Sequence, residues 1–410
     1  MTPGAPDVHV DAGAADPAPG FALGDGVLEA VAGTHGTPCF AYAAAAVDAA
    51  WGRLRAALPA RVRVAYAVKA NPHPALLARL AAAGASFDCA SEGELRRVAA
   101  LGLGPGRTFF AGPGKREAEL ALALAQGARV QAEGWEDLAR LDALAGAGGG
   151  PPVAVNVRVH PREGVAEASR IIGGTGPSAF GVDEEDVPDL LARARGLRHV
   201  RVAGLHVFAA SNERAADRLL ATHGMVLALA RRLADEHGVV LEQVDLGGGL
   251  GVPYAPGEAP LDTAALGAGL AALLAEHAWF EGELVLEPGR FLAAPCGVYL
   301  ARVVRVKPSR GERFAILEGG INHLLRPLLT GQPFPVRRVD PDGASPGGAM
   351  TQVTLAGPLC TSLDRLGVAH LPADLGPGDL LAFGTCGAYG FTEGMTHFLS
   401  HPVPPEVWIE

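Results

Sequence analysis

Side chains able to do chemistry recur at the ends of short apolar runs along this chain. The run Val62-Arg63-Val64-Ala65-Tyr66-Ala67-Val68 ends in Lys69, followed by Ala70, Asn71 and the breakers Pro72 and Pro74. An ammonium at the end of a buried strand is costly to desolvate without a partner. Lys69 is either a solvated point charge, the commoner case, or an amine that forms a Schiff base with an aldehyde cofactor. Asp88-Cys89-Ala90-Ser91-Glu92-Gly93-Glu94 follows the second run, Arg158 lies near the end of the fifth, and His206 near the end of the sixth. Asp245-Leu246-Gly247-Gly248-Gly249-Leu250-Gly251 and Glu287-Pro288-Gly289-Arg290 follow the last two. Residues without Cβ let backbone N–H groups converge on a phosphate. Arg290 adds a two-pronged phosphate donor; a flexible loop is the other reading of the glycines. Glu287 is either a capping or surface acid or the holder of a proton on a cofactor ring nitrogen. His206 is either a satisfied core histidine or a ring stacked on a flat cofactor.

The elements that must position these residues alternate. Strand-like runs fall near Val62–Tyr66, Ser86–Asp88, Thr108–Ala111, Arg129–Ala132, Val153–Val159, Arg201–Val207, Gln243–Leu246 and Glu283–Leu286. Helical periodicity fills the gaps, as in Ala75–Ala83, Glu92–Leu101, Arg116–Gln126, Glu136–Leu144, Glu184–Arg195 and Ala215–His237. About eight strands, nearly all followed by a helix, predict an α/β chain with a (β/α)₈ TIM-like barrel. In such a barrel the active site lies at the C-terminal strand ends, where the residues above fall. An open doubly wound sheet is the alternative, but no GxGxxG follows the first strand. After Glu287 the text turns to short strand-like runs between Gly/Pro turns: Gly297–Val306, Arg313–Leu317, Gln352–Ala356 and Leu380–Phe383. This predicts a C-terminal all-β domain.

The expected division is an N-terminal extension over residues 1–35, partly disordered; a barrel over 36–286, whose first strand joins the β domain; and the β domain over 287–410. The residues up to about Gly20, rich in Ala, Pro, Gly and Asp, read as loosely attached. The Asp340–Gly348 stretch reads as an exposed loop.

Composition narrows the function. Hydrophobic residues make up 49% and charged residues 19%, enough for a large core. The net charge of -10 is spread through the chain, and no basic array points to nucleic acid. No apolar run approaches the ~20 residues of a membrane helix, and no leader pattern opens the chain. The five scattered cysteines lack CxxC spacing, so reduced thiols in a cytoplasmic protein are expected, with no metal site.

Six motifs occur in one order: Tyr-Ala-Val-Lys-Ala-Asn (66–71), Phe-Asp-Cys-Ala-Ser-Glu-Gly-Glu (87–94), Asp-Leu-Gly-Gly-Gly-Leu-Gly (245–251), Glu-Pro-Gly-Arg (287–290), Gly-Pro-Leu-Cys-Thr-Ser-Leu-Asp (357–364) and Cys-Gly-Ala-Tyr-Gly (386–390). With them, from about Gly36 to its end, the chain resembles the fold-type III pyridoxal-phosphate decarboxylases. These are the ornithine and diaminopimelate decarboxylases, whose barrel is shared with alanine racemase. The resemblance implies pyridoxal 5'-phosphate as cofactor. It implies Lys69 as the Schiff-base lysine, His206 stacked on the pyridine ring and Glu287 paired with the ring nitrogen. Gly247, Gly248, Gly249, Gly289, Arg290 and Tyr389 are implied around the cofactor and its phosphate. Cys360 is implied as a catalytic residue lent by the second subunit of a homodimer with shared active sites. Asp88, Glu94 and Arg158 are implied as supporting residues around the lysine. The implied reaction is loss of CO₂ from an amino acid, leaving a stabilised carbanion that Cys360 or Lys69 protonates.

Departures from the family bear on the substrate. The motif cysteine is followed by an acid in ornithine decarboxylases and by glutamate in diaminopimelate decarboxylases; here Thr361 stands there. Arg326 matches the arginine of the latter's Arg-Pro-x-Leu-Tyr motif, but Thr330 replaces its tyrosine. The segment after His206, Val207-Phe208-Ala209-Ala210-Ser211, and the closing Phe398-Leu399-Ser400-His401-Pro402 are more similar to a secondary-metabolism branch. The carrier-protein-linked glutamate decarboxylase of butirosin biosynthesis is its best-known type. Arg326, Thr361 and Asp364 are expected at the substrate, whose far end is expected to be neutral, acylated or acidic. His323 and Arg162 are candidate positive charges for that end, or else surface or salt-bridged residues. A carrier protein is a candidate partner; nucleic acid and membrane are not. Two competitors use the same fold: a racemase or epimerase, which needs a second base opposite Lys69, and a non-catalytic cofactor-binding protein, which resembles the barrel alone.

Overall fold

The computed structural model describes residues 20–162, 176–340 and 348–410. The stretch before Gly20 and the interior of the Asp340–Gly348 loop, both singled out from composition, lie outside the described residues. The chain forms two compact units. One comprises Trp51–Val252 and Pro260–Gly289; the other takes the described part of Met1–Ala50, with Pro253–Ala259 and Arg290–Glu410.

The first strand, β1 (Cys39–Ala43), belongs to the second unit. The next nine build the first unit: β2 (Val62–Ala67), β3 (Ser86–Cys89), β4 (Thr108–Phe110), β5 (Arg129–Ala132), β6 (Val153–His160), β7 (Val182–Asp183), β8 (Val200–His206), β9 (Gln243–Asp245) and β10 (Glu283–Leu286). All but β7 pair in parallel around a closed ring. Leu284 lies opposite Val62, and Gln131 opposite Asn156, so no edge is left. The two-residue β7 pairs with the end of β6. This is the expected (β/α)₈ barrel, not an open sheet.

Parallel strands covered on both faces read as continuous apolar runs, and every residue of β3, β4 and β9 is buried. The buried polar side chains on these strands answer one another. Asn156 donates to Gln243 (2.8 Å) and Gln131 to Asp245 (2.9 Å). Gly204 leaves room for them, since a Cβ there would lie 2.2 Å from the Asn156 side-chain oxygen. Outside the ring, Gly267 of helix Thr263–Glu276 packs so closely on Ala57 that a Cβ would meet its carbonyl oxygen at 2.0 Å.

The second unit is a mixed eight-stranded sheet. It holds β1 with β11 (Gly297–Ser309), β12 (Glu312–Leu317), β13 (Val336–Arg338), β14 (Met350–Ala356), β15 (Arg365–Pro372), β16 (Leu380–Phe383) and β17 (Glu406–Ile409). β1 lies antiparallel to β11 and parallel to β17. Residues 20–35 do not behave as an extension. Asp25–His35 is a helix whose Leu28, Val31 and Ala32 share one core cluster with Val298, Leu300 and Val407. Among the described residues, no helix is long and apolar enough to cross a membrane.

Candidate active site

β2 ends in a 3₁₀ turn, Val68–Ala70, that carries Lys69 past the strand. Ala67 lies opposite Asp88 in the β2–β3 register, which brings the lysine alongside that acid. Lys69 Nζ is 2.7 Å from Asp88 Oδ2 and 6.0 Å from the Phe208 ring centre. The Asp88 side chain is 1% exposed and that of Lys69 39%. Lys69 is thus held by a buried acid, which the solvated-charge reading does not provide. Burial and the nearby Glu287 push the Asp88 carboxyl up, against the pull of Lys69. Glu94 sits in the first turn of helix Glu92–Ala99, which Ser91 caps, and accepts from the Ala90 amide at 2.6 Å. Burial raises its pKa; Asp88 and Lys69 both act on it electrostatically.

Three neighbouring strands bring His206, Asp245 and Glu287 together. His206 lies opposite Asp245 at the strand ends, and Glu287 follows β10. His206 Nε2 is 3.3 Å from Glu287 Oε2, both side chains being buried. Burial drives Asp245 well above the ordinary carboxylate value, with the Glu287 charge adding to the effect. Burial also opposes ionisation of Glu287, yet His206, Lys69 and a hydrogen bond from Asp245 outweigh it and hold Glu287 down to about 2. The two carboxyls are thus shifted in opposite directions, Asp245 towards its protonated form and Glu287 towards its charged one. One ligand atom from each of the three lies within 4.8 Å of the others, a spacing a metal can also use. The upward shift of Asp245 works against that role, because metal ligands must be deprotonated.

Glu287 Oε1 and His206 Nδ1 have no hydrogen-bond partner among the described residues. Buried polar atoms left open in this way call for a further group. A protonated pyridine nitrogen would complete Glu287 Oε1, and the flat His206 ring beside it can stack on a pyridine, so these residues fit pyridoxal phosphate.

The glycine run after β9 is shaped by close approach. A Cβ at Gly247 would meet the Val207 carbonyl oxygen at 2.6 Å, at Gly248 the Glu287 carbonyl oxygen at 2.5 Å, and at Gly249 the Ala210 Cβ at 2.7 Å. Gly247 and Gly249 also have φ of 69° and 95°, where side chains are strained. The Gly247 amide donates to Asp245 Oδ1. The Gly248 and Gly249 amides donate to no oxygen among the described residues. Two amides in a glycine turn form an anion cradle. Gly289 is likewise tight, a Cβ there meeting that of Ala70 at 2.9 Å.

Arg158 sits near the end of β6. It lies opposite His206 in register, and its guanidinium pairs with Glu133 at 2.8 Å and lies 4.7 Å from the Phe180 ring centre. Glu133 also accepts from the Gly112 and Gly181 amides. Lys115, almost wholly buried, pairs with Asp137 at 2.9 Å, and Asp137 accepts from the Glu133 amide. Glu133, Lys115 and Asp137 escaped the sequence reading because their ion pairs join residues 22 to 25 apart in sequence, carried by different elements.

In the second unit, Arg290 is buried and donates to the Tyr254 hydroxyl at 2.7 Å. Its guanidinium lies 4.8 Å from the Tyr389 ring centre, and that of Arg326 lies 5.0 Å from it. Tyr389 has φ 61°, unusual for a residue with a side chain. Arg326 pairs with Glu393 at 3.3 Å. Neither Tyr254 nor Glu393 was expected. Tyr254 follows the glycine run at short range, the one signal available for it; Glu393 had none.

Of the substrate candidates, Asp364 has other partners, and His323 and Arg162 follow their structural alternatives. Asp364 is a loop staple: its two oxygens accept from the Ile321 and Leu359 amides at 2.8 and 2.7 Å, and it is buried against Gly320 and Gly357. His323 offers no positive charge. Burial pulls its pKa down to about 4, and it hydrogen-bonds Tyr299 and the Pro402 carbonyl. Arg162 is exposed and pairs with Glu185 at 3.0 Å. Thr361 is half-buried, its hydroxyl oxygen accepting from the Leu363 amide at 3.2 Å. All five cysteines are free; Cys360 is exposed and the others are buried.

Comparison with known proteins adds the following. The family model described as the pyridoxal binding domain of pyridoxal-dependent decarboxylases matches residues 44–294. A decarboxylase of the L-glutamyl-BtrI acyl-carrier protein from Niallia circulans is 30% identical, over 90% of this chain and 88% of its own. The diaminopimelate decarboxylase of Deinococcus radiodurans is 35% identical, over 93% of this chain and 92% of its own. The crystal structure of diaminopimelate decarboxylase from Helicobacter pylori, complexed with L-lysine, superposes with a TM-score of 0.83 at 26% identity, covering 93% of this chain and 94% of that one.

Proposed function

This chain belongs to the pyridoxal-dependent decarboxylases and is a pyridoxal-phosphate-dependent amino-acid decarboxylase; we propose that its substrate is a specialised amino acid whose far end is not a free amine. The observation that carries the substrate reading is Thr361, a hydroxyl where relatives of the ornithine and diaminopimelate types place a carboxylate. Removing one partner of a buried ion pair costs about 3–5 kcal/mol, so a distal ammonium is poorly served there. The carrier-protein-linked relative supports delivery of the substrate on a carrier protein, in specialised metabolism.

Pyridoxal phosphate, when bound, supplies an aldehyde for Schiff-base formation and a ring that draws off the electron pair left by departing CO₂. The chain's own groups do the rest. Lys69 provides the amine, held by Asp88 with Glu94 behind it. Glu287, kept ionised, would hold the proton on the ring nitrogen, with Asp245 behind it. His206 would stack on the ring. Gly247, Gly248, Gly249 and Gly289 would hold the phosphate, and the resemblance assigns Arg290 and Tyr389 to it as well. Cys360 or Lys69 returns a proton to the α-carbon. Cys360 is exposed in the single chain, as is the neighbouring Leu363, which supports a homodimer in which each subunit lends this loop to the other. Free thiols support a cytoplasmic setting.

The test is a screen for CO₂ release, with free amino acids and aminoacyl carrier proteins side by side. Products lighter by CO₂ are expected; unchanged mass with inverted configuration would instead mean a racemase. Borohydride should fix the cofactor to Lys69, and a label on any other residue would refute that assignment.

A further inference from the structure

Bulky apolar side chains ordinarily fill the interior of such a barrel, and Ala65, Phe109 and Val285 form a buried cluster of that kind. Gln131, Asn156 and Gln243 are instead buried amides. The register sets Gln131 beside Asn156, Asn156 beside Gly204, Gly204 beside Gln243 and Gln243 beside Glu283. These side chains therefore start from one level of the ring, yet they point to two different acids. Asn156 reaches over Gly204 to donate to Gln243, Gln243 donates to Glu283 at 3.1 Å, and Glu283 pairs with Arg63 at 2.8 Å. The Arg63 and Glu283 side chains are 32% and 34% exposed, so this line ends at solvent. Gln131 donates to Asp245 Oδ2 at 2.9 Å, and that line ends in the buried site. β5 and β9 are not neighbours in the ring, so Gln131 reaches Asp245 through the interior.

Both Asp245 oxygens already receive an N–H, Oδ1 from the Gly247 backbone and Oδ2 from Gln131. Asp245 also shares a hydrogen bond with Glu287, and two carboxyls can do so only when one carries a proton. Successive hydrogen bonds polarise one another. An N–H donated into Asp245 therefore makes its own proton a stronger donor, and a stronger donor to Glu287 leaves Glu287 a weaker base. His206, Lys69 and Asp88 also act on this pair of acids, from β8, from the turn after β2 and from β3. Gln131 is the contribution of β5.

We propose that Gln131 is a positioning residue for the ring nitrogen of the cofactor, acting through Asp245. Its N–H orients Asp245 toward Glu287 and keeps Glu287 a weak base, so that a proton lying between Glu287 and the ring nitrogen stays on the nitrogen. The proposal rests on the placement of the ring nitrogen at Glu287 and adds to it a residue that none of the six motifs contains.

The test uses the holoenzyme loaded with pyridoxal phosphate labelled at its ring nitrogen, and reads that nitrogen by NMR. Gln131→Met removes the donor at nearly unchanged volume, and Gln243→Met does the same to the line that ends at solvent. The nitrogen signal should move from its protonated toward its unprotonated position in Gln131→Met and stay in place in Gln243→Met. In an Asp245→Asn background, Gln131→Met should add no further movement. Gln131→Leu takes the place of Gln131→Met should the latter not fold. Urea unfolding of the cofactor-free protein gives a second readout: the stability changes of Gln131→Met and Asp245→Asn should not add, as expected of groups in direct contact. An unmoved signal in Gln131→Met overturns the proposal. So does an equal movement in Gln243→Met, a full further movement in the Asp245→Asn background, or additive stability changes. Glu287→Gln separates the proposal from the reading beneath it. An unmoved signal in that variant removes both, whereas movement there without movement in Gln131→Met removes the role of Gln131 alone.

Discussion

The proton arrangement at Glu287 makes the sharpest prediction, because two acids in hydrogen-bond contact should respond in opposite ways to the same isosteric change. Glu287 is held down from 4.5 to about 2. That difference of about 2.5 units is worth about 3 kcal/mol at 1.36 kcal/mol per unit. Its folded pKa lies below the unfolded value, so this stability is present above about pH 4.5 and is lost as pH falls toward 2. Asp245 is shifted the other way. Its folded pKa is raised, so its contribution is full below the unfolded value of 3.8 and is lost as pH rises through the folded one. At neutral pH, then, Glu287→Gln removes a charge that the fold stabilises, whereas Asp245→Asn removes a carboxyl whose charged form the fold disfavours. The new amide can keep the Gly247 N–H on its oxygen. Gln131, whose Oε1 is unpartnered, can turn to accept from the new NH₂. Urea unfolding of the cofactor-free protein at pH 7 should show Glu287→Gln less stable by about 3 kcal/mol, and Asp245→Asn no less stable than the wild type, because the substitution removes a charge that the fold disfavours. Equal losses, or a larger loss in Asp245→Asn, would mean that the proton sits elsewhere and would refute the reasoning.

His223 is buried and its pKa is pulled down to about 4 by desolvation; the unfolded chain takes up this proton first, so stability should fall between pH 6.5 and 4 by up to about 3 kcal/mol, and His223→Leu should flatten that slope in unfolding experiments. Asp364→Asn should cost about 1–3 kcal/mol in stability, because one of two backbone amides loses its acceptor, while the KM of the folded fraction stays unchanged; a selective KM effect would return Asp364 to the substrate. Mixed subunits of Lys69→Ala and Cys360→Ala should recover part of the wild-type activity if sites are shared, and no recovery after verified subunit exchange would count against sharing. Thr361→Asp should improve any trace CO₂ release from ornithine, and no change would detach position 361 from the far end of the substrate.

The barrel was legible because its strands are buried on both faces and end in residues that such a position makes expensive: Lys69, Asp88, His206 and Glu287. The second sheet was legible only where its strands are apolar. β15, Arg365–Pro372, alternates exposed and buried positions and contains Gly367 at φ 129°, so it carries little strand signal. Helix Asp25–His35 was missed for a related reason: its Gly24 cap makes no side-chain hydrogen bond, and what holds it is tertiary packing of Leu28 and Val31. The partners of Arg158 were beyond reach because ion pairs between different loops follow strand order around the ring, which no local spacing records.

Glu393 shows what that limit does to an argument about specificity. Thr361 was read as the loss of a carboxylate, and from the motif alone that left Arg326 as an unopposed positive charge, favouring an acidic tail as readily as a neutral one. With Glu393 at 3.3 Å, Arg326 is not unopposed. The loss at one segment is met by a carboxylate on another, four residues beyond Tyr389 in a turn whose sequence gives no sign of it. An arginine already paired with a carboxylate gives no ground for preferring an acidic tail over a neutral one.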